Sequence, residues 1–149
     1  MIWNVYLSGE IHTNWRSVII NLADQKKLSV KFTAPVINHD HSDNCGSIIL
    51  GGEDEKFWAD HKSAKINSIR NQTGIKNADI VVVCFGEKYK QWNAAFDAGF
   101  AVALSKPLII MHGNDHQHAL KEIDAAALAT VKTPEQIVQI LHYVINGEL

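Results

Sequence analysis

IVVVCFGEKYKQWNAAFDAGFAVALSKPLIIMH, residues 80–112, is the stretch whose reading decides the fold. Its ends are unbroken runs of β-branched and apolar residues, IVVVCF at 80–85 and PLIIMH at 107–112. Neither run alternates polar with apolar residues, the pattern of strands buried on both faces of a parallel sheet. Between them, residues 90–105 are apolar at helical spacing. Strand, helix and strand in such close succession describe two parallel strands joined by a crossover helix. From Gln91 to Ser105 the only ionisable side chain is Asp97. A helix apolar on most faces is normally buried, and a carboxylate there is costly unless it is paired, hydrogen-bonded or facing a wet cavity. Asp97 either lies on an exposed stripe or is the reason for the helix.

Working outward, the same alternation recurs. Strand-like runs lie at 4–9 (NVYLSG) and 30–35 (VKFTAP), with a weaker one at 127–131 (ALATV). Helical patterns occupy 14–27, roughly 59–72 and 134–146. For the last, Thr133 supplies an N-cap, Pro134 the first helical position, Gln136 the capping-box partner and Gly147 the stop. The alternation predicts one domain over residues 1–149, a flavodoxin-like doubly wound α/β fold. Its sheet is expected to have five parallel strands in the order 2-1-3-4-5 with right-handed crossovers. Residues 38–61 are the exception and read as a long loop at the carboxyl edge of the sheet, a place where long ordered loops are often functional.

Composition narrows the function classes. A net charge of -2 without a basic stripe is no footprint of a nucleic-acid polymer binder. The opening MIWNVYLSG lacks the basic start of a secretion signal, and no apolar run reaches membrane-spanning length. Cys45 and Cys84 are too far apart in pattern for a disulfide framework, so a cytoplasmic location is expected. No glycine-rich phosphate cradle is present.

Ligands of open α/β sheets bind outside the carboxyl ends of the strands, where the winding direction switches. The first strand ends in YLSGEIH and the third runs into CFGEKYKQW, so Tyr6, Ser8, Gly9 and Glu10 meet the helix of Asp97 at that edge. Gly9 also suits a tight turn at a strand end. In NHDHSDN, the pair His39 and His41 has the spacing of a divalent-metal site, although a solvated loop or a hydrogen-bonding rim is the favoured reading. His112, His116 and His118 read as a solvated loop. Tyr89, Trp58 and Trp92 could stack on a base or pack elsewhere, and Trp92, Phe96 and Ala103 could face the sheet.

These stretches carry a resemblance. VYLSGEI is similar to the YLAGP strand end of nucleoside 2-deoxyribosyltransferases, TGIKNADIVVV to their approach to the third strand, and NAAFDAGFAVALSKPLII to their nucleophile helix and fourth strand. GEIHTNWR, NHDHSDN and FGEKYKQWNAAFDA resemble more closely the small bacterial YtoQ family grouped with those enzymes. The resemblance implies that a carboxylate attacks C1′ of the deoxyribose and expels the base, after which a second base or water takes the sugar. The nucleophile position falls on Asp97, an aspartate in place of the family's glutamate. Gln91, Asn93 and Asn71 stand where the family has an aspartate, a glycine and another aspartate. By this resemblance the substrate-binding residues are Tyr6, Ser8, Gly9, Glu10, Asn38, His39, Asp40, Asn71, Gln91 and Asn93. The ligand would be a nucleoside or nucleotide, with no cofactor or metal, and the chain a homo-oligomer. The alternatives are a non-catalytic nucleotide-binding domain that has lost the family's reactivity, or a metal-assisted hydrolase using residues 38–43.

Overall fold

The strands form where the apolar runs are. β1 (Trp3–Gly9), β2 (Val30–Thr33), β3 (Ile80–Phe85), β4 (Leu108–His112) and β5 (Ala129–Val131) make one sheet in the order β2-β1-β3-β4-β5 in the computed structural model, which describes residues 1–149. Every neighbouring pair is parallel. All residues of β3 and β4 are buried, as expected for strands covered on both faces.

The period of two along the strands divides the core. Val5, Leu7, Val82 and Met111 point to the face covered by α1 (Trp15–Gln25) and α6 (Pro134–Asn146), where Ile19, Ile137 and Leu141 meet them. Tyr6, Val81, Val83 and Ile110 point to the opposite face, covered by α3 (Lys56–Asn77), α4 (Trp92–Ala103) and the short α5 (Lys121–Ala126). The capping box at Thr133 and Gln136 is formed, and Gly147 closes α6 in the left-handed region at φ +74°.

α4 presents Ala94, Ala98 and Ala101 to the sheet. Three small residues at helical spacing let the helix backbone come close to β1 and β3. Trp92, Phe96 and Ala103, expected to face the sheet, are exposed instead, the first two at 75% and 65%.

The stretch 38–61 corrects the sequence reading. It is not a loop: α2 (His39–Leu50) fills half of it, and α3 begins at Lys56, before the expected start, and runs on to Asn77. The Asn38 side chain caps α2 by accepting from the His41 backbone N–H at 2.9 Å. Gly46 then lets the helix press on α3, since a Cβ there would stand 2.4 Å from the Ser63 nitrogen. The Ser63 hydroxyl accepts from Gly46 N–H (3.0 Å) and donates to the Asp43 carbonyl (2.6 Å). Tertiary contact thus overrides weak local helix propensity.

Of the three histidines read as a solvated loop, His112, the last residue of β4, is corrected as well. His112 is buried, its Nε2 2.9 and 3.0 Å from the Asp124 carboxylate oxygens and its Nδ1 2.7 Å from the Gly113 carbonyl. His116 ends a 3₁₀ turn at Asn114–His116, and His118 is exposed in the turn that leads to α5.

Candidate active site

The carboxyl end of β1 is built to be rigid. Gly9 has φ +111°, and a Cβ would stand 2.1 Å from the Cys84 carbonyl oxygen, so only glycine lets β1 close on β3 there. The buried Arg16 guanidinium donates to the carbonyls of Leu7 (3.0 Å), Gly9 (3.1 Å) and Glu10 (2.6 Å). Trp15 Nε1 donates to the same Glu10 carbonyl at 3.0 Å. The Glu10 carboxylate accepts from the His12 (2.6 Å) and Thr13 (3.1 Å) backbone N–H groups and from the Thr13 hydroxyl. Glu10 therefore clamps the loop that follows β1.

With that end fixed, the alternation along β1 aims Tyr6 and Ser8 at the face of α3 and α4. Ser8, buried, donates its hydroxyl to Asp97 Oδ2 at 2.5 Å. Tyr6 donates to Asn71 Oδ1 at 3.2 Å. Gly74 makes room for the Tyr6 ring, since a Cβ at 74 would stand 2.3 Å from its Cε2.

Asp97 lies in a cleft of about 620 Å³ walled by α2, α3 and α4. Asp43 comes from α2, Lys56, Asp60 and Asn71 from α3, and Asn93 and Phe96 from α4. Only two of the 13 lining residues, Ala64 and Phe96, are hydrophobic, so the cleft is shaped for a polar ligand with one aromatic contact. Burial raises the Asp97 pKa above the ordinary carboxylate value, and the Ser8 hydrogen bond opposes that rise. Burial, with the Asp97 charge adding to it, pushes the Tyr6 phenol well above its usual range, so it is a hydrogen-bond donor at neutral pH. Cys84, beneath the strand ends, is pushed up to about 12 chiefly by burial and is an unreactive thiol.

Of the residues named from sequence, Asp97, Asn71 and Asn93 line the cleft, Ser8 touches Asp97, and Tyr6 touches Asn71. Gly9 shapes the strand end and Glu10 its loop. Gln91 receives the Gly86 N–H on Oε1 at 2.9 Å, while its buried Nε2 has no protein partner. Asn38, His39 and Asp40 sit on the exposed first turn of α2 outside the cleft lining. His39 Nε2 stands 3.4 Å from Asp43, which does line it. Trp58 packs with Phe57 and His61, and Tyr89 with His12, rather than in the cleft. No three His, Cys, Asp or Glu side chains converge on a point that would hold a metal ion. No helix is long and apolar enough to cross a membrane.

The sequence reading missed Asp43, Lys56, Asp60, Asn67 and Gln72 as cleft residues. For the four on α3 the signal was present as polar residues three, four and seven positions apart in 56–72, visible only once that segment is read as helix from its start, and Asp43 needs α2 to be read as a helix too.

The family model described as "Nucleoside 2-deoxyribosyltransferase YtoQ" matches residues 6–145. The uncharacterized protein YtoQ of Bacillus subtilis (strain 168) is 44% identical over 144 residues, 97% of each chain. A solved structure of a 2-deoxyribosyltransferase from Bacillus psychrosaccharolyticus is similar with a TM-score of 0.54 and 18% identity, covering 91% of this chain and 90% of the other. A conserved protein from Enterococcus faecalis V583 is similar with a TM-score of 0.63 and 12% identity, covering 97% of this chain and 99% of the other. These two likenesses show a shared fold.

Proposed function

The chain belongs to the nucleoside 2-deoxyribosyltransferase YtoQ family, and from that premise we propose that it cleaves the N-glycosidic bond of a nucleoside or nucleotide, or transfers its deoxyribosyl group, with Asp97 as nucleophile. The observation that carries the reading is the Asp97 carboxylate itself: the only charge on its helix, partly buried in a polar cleft, with Ser8 bonded to one oxygen. A carboxylate is the group suited to displacement at an anomeric carbon with an oxocarbenium-like transition state.

In this reading the oxygen not bonded to Ser8 attacks C1′. The base departs with the electron pair of the N-glycosidic bond, leaving a glycosyl ester on Asp97. Water or a second base then displaces the carboxylate. Ser8 fixes the rotamer and favours the ionised form, while burial strips water from the attacking oxygen. Asn71, held by the Tyr6 phenol, and Asn93 supply hydrogen bonds to sugar or base, and Phe96 supplies a stacking face. The exposed Trp58, Trp92 and Phe96 support a homo-oligomer, which sedimentation measures directly.

The test is release of free base from a panel of deoxynucleosides and their monophosphates by wild type, Asp97→Ala, Asp97→Asn and Asp97→Glu. Release by wild type and its loss in the first two variants is the expected result. Binding of these compounds by wild type without any release would identify a pocket kept for binding alone.

A further inference from the structure

Taking Asp97 as the nucleophile, we propose that the cleft selects a nucleoside whose base is already cationic, an N-alkylated base, over neutral nucleosides and over 5′-phosphates. The inference rests on the glycosidic reading of this cleft and specifies its substrate class.

The first support is charge. The cleft is lined by three carboxylates, Asp43, Asp60 and Asp97, against one cation, Lys56. Lys56 makes no ion pair with any of them, so the carboxylates are not locally neutralised by it. His39, 3.4 Å from Asp43, lies on the exposed first turn of α2 outside the lining. A monophosphate would bring two further negative charges into this space, whereas a cationic base brings the opposite one.

The second support is the proton inventory. A neutral base must gain a proton as its bond to C1′ breaks. Three hydroxyls at the cleft already donate elsewhere, Ser63 to the Asp43 carbonyl, Ser68 to the Lys65 carbonyl and Ser8 to Asp97, while the Ser42 hydroxyl accepts from Asn67 and, as a serine, is no acid at neutral pH. The remaining neutral donors are amides such as Asn67, Asn71, Gln72 and Asn93, which hydrogen-bond without giving up a proton at neutral pH, and the one cationic donor, Lys56, opens α3 about four helical turns before Asn71. An N-alkylated base needs no proton. Carboxylate oxygen forms its bond to C1′, the C1′–N bond breaks, and the electron pair neutralises the departing base. Water then cleaves the ester, releasing sugar, the free carboxylate and one proton.

The experiment uses the full chain with 1-methyl-2′-deoxyadenosine, 2′-deoxyadenosine and 2′-deoxyadenosine 5′-monophosphate, cationic, neutral and anionic at neutral pH. Affinity is measured by calorimetry at low ionic strength and base release by chromatography, corrected for spontaneous loss. Affinity should fall by about tenfold from cation to neutral, the effect of a net cleft charge of two on one ligand charge in a wet site, and by more than that from neutral to the doubly charged monophosphate. Added salt, and the double variant Asp43→Asn with Asp60→Asn, should compress that order. Equal or tighter binding of the neutral nucleoside or the monophosphate overturns the proposal, as does faster corrected base release from either. Binding in the expected order with no base released from any compound sustains the charge selection and overturns the glycosidic reading instead.

Discussion

Ser8→Ala isolates the contact on which the site depends. The hydroxyl is buried and donates to Asp97 Oδ2 at 2.5 Å, and no other hydrogen bond to that carboxylate is formed within the protein. A hydrogen bond to a charged group is worth about 1.5–3 kcal/mol, and its loss should lower kcat roughly 10- to 100-fold if the geometry and charge of Asp97 control the chemical step. The same loss should appear in stability, with a direction fixed by linkage. Removing the donor raises the Asp97 pKa further above its ordinary value. The variant is therefore less stable than wild type at neutral pH, and the deficit shrinks as the pH falls through the Asp97 pKa and the carboxylate protonates. The assay is a pH–rate profile of base release together with denaturation midpoints at neutral and acidic pH. Its acidic limb should move to higher pH in Ser8→Ala, and Ser8→Thr, which keeps a hydroxyl, should restore most of the rate. An unchanged kcat and an unmoved acidic limb would refute the reasoning, because a packing defect alone does not leave the profile in place while sparing the rate.

Asp97→Asn should abolish base release yet stabilise the protein at neutral pH. Burial raises the native pKa of Asp97, so ionisation weakens the fold as pH rises through that pKa, and the gain over wild type should vanish in acid below the ordinary carboxylate range. Tyr6→Phe leaves Asn71 Oδ1 without its donor. It should cost about 1 kcal/mol of stability and raise KM more than it lowers kcat, as steady-state kinetics will show. Gly74→Ala forces the Tyr6 ring to shift; it should cost about 1–3 kcal/mol, read as a lower thermal midpoint, and weaken nucleoside binding with it.

How much of this was legible in the sequence depended on whether burial wrote a pattern. β3 and β4 are buried on both faces and read as unbroken apolar runs, so they and the crossover helix between them were plain, and the alternation over the whole chain suggested the order that the sheet has. The caps of α6 were equally plain because Thr133, Pro134, Gln136 and Gly147 each do one local job. α2 was not legible. NHDHSDN has the composition of a polar loop, and the helix exists through a backbone contact at Gly46 that only tertiary structure supplies. The polar wall of the cleft was hidden for a related reason. Asp60, Asn67 and Gln72 lie on the side of α3 that faces a wet cavity, and such a face has the same residue types as one facing bulk solvent. Asp97 stood out because the rest of its helix is uncharged. The loop-holding role of Glu10 was not legible, because a carboxylate at a strand end looks the same in sequence whether or not it accepts from its own loop.

The central claim is that Asp97 forms a covalent bond to the sugar. The direct measurement is mass spectrometry of wild type incubated with a 2-fluoro-2-deoxyarabinosyl nucleoside, whose electron-withdrawing fluorine slows breakdown of a glycosyl ester. The account predicts one added fluorosugar that maps after digestion to Asp97 and is absent in Asp97→Asn. Release of base with no adduct, or an adduct on any other residue, would contradict it.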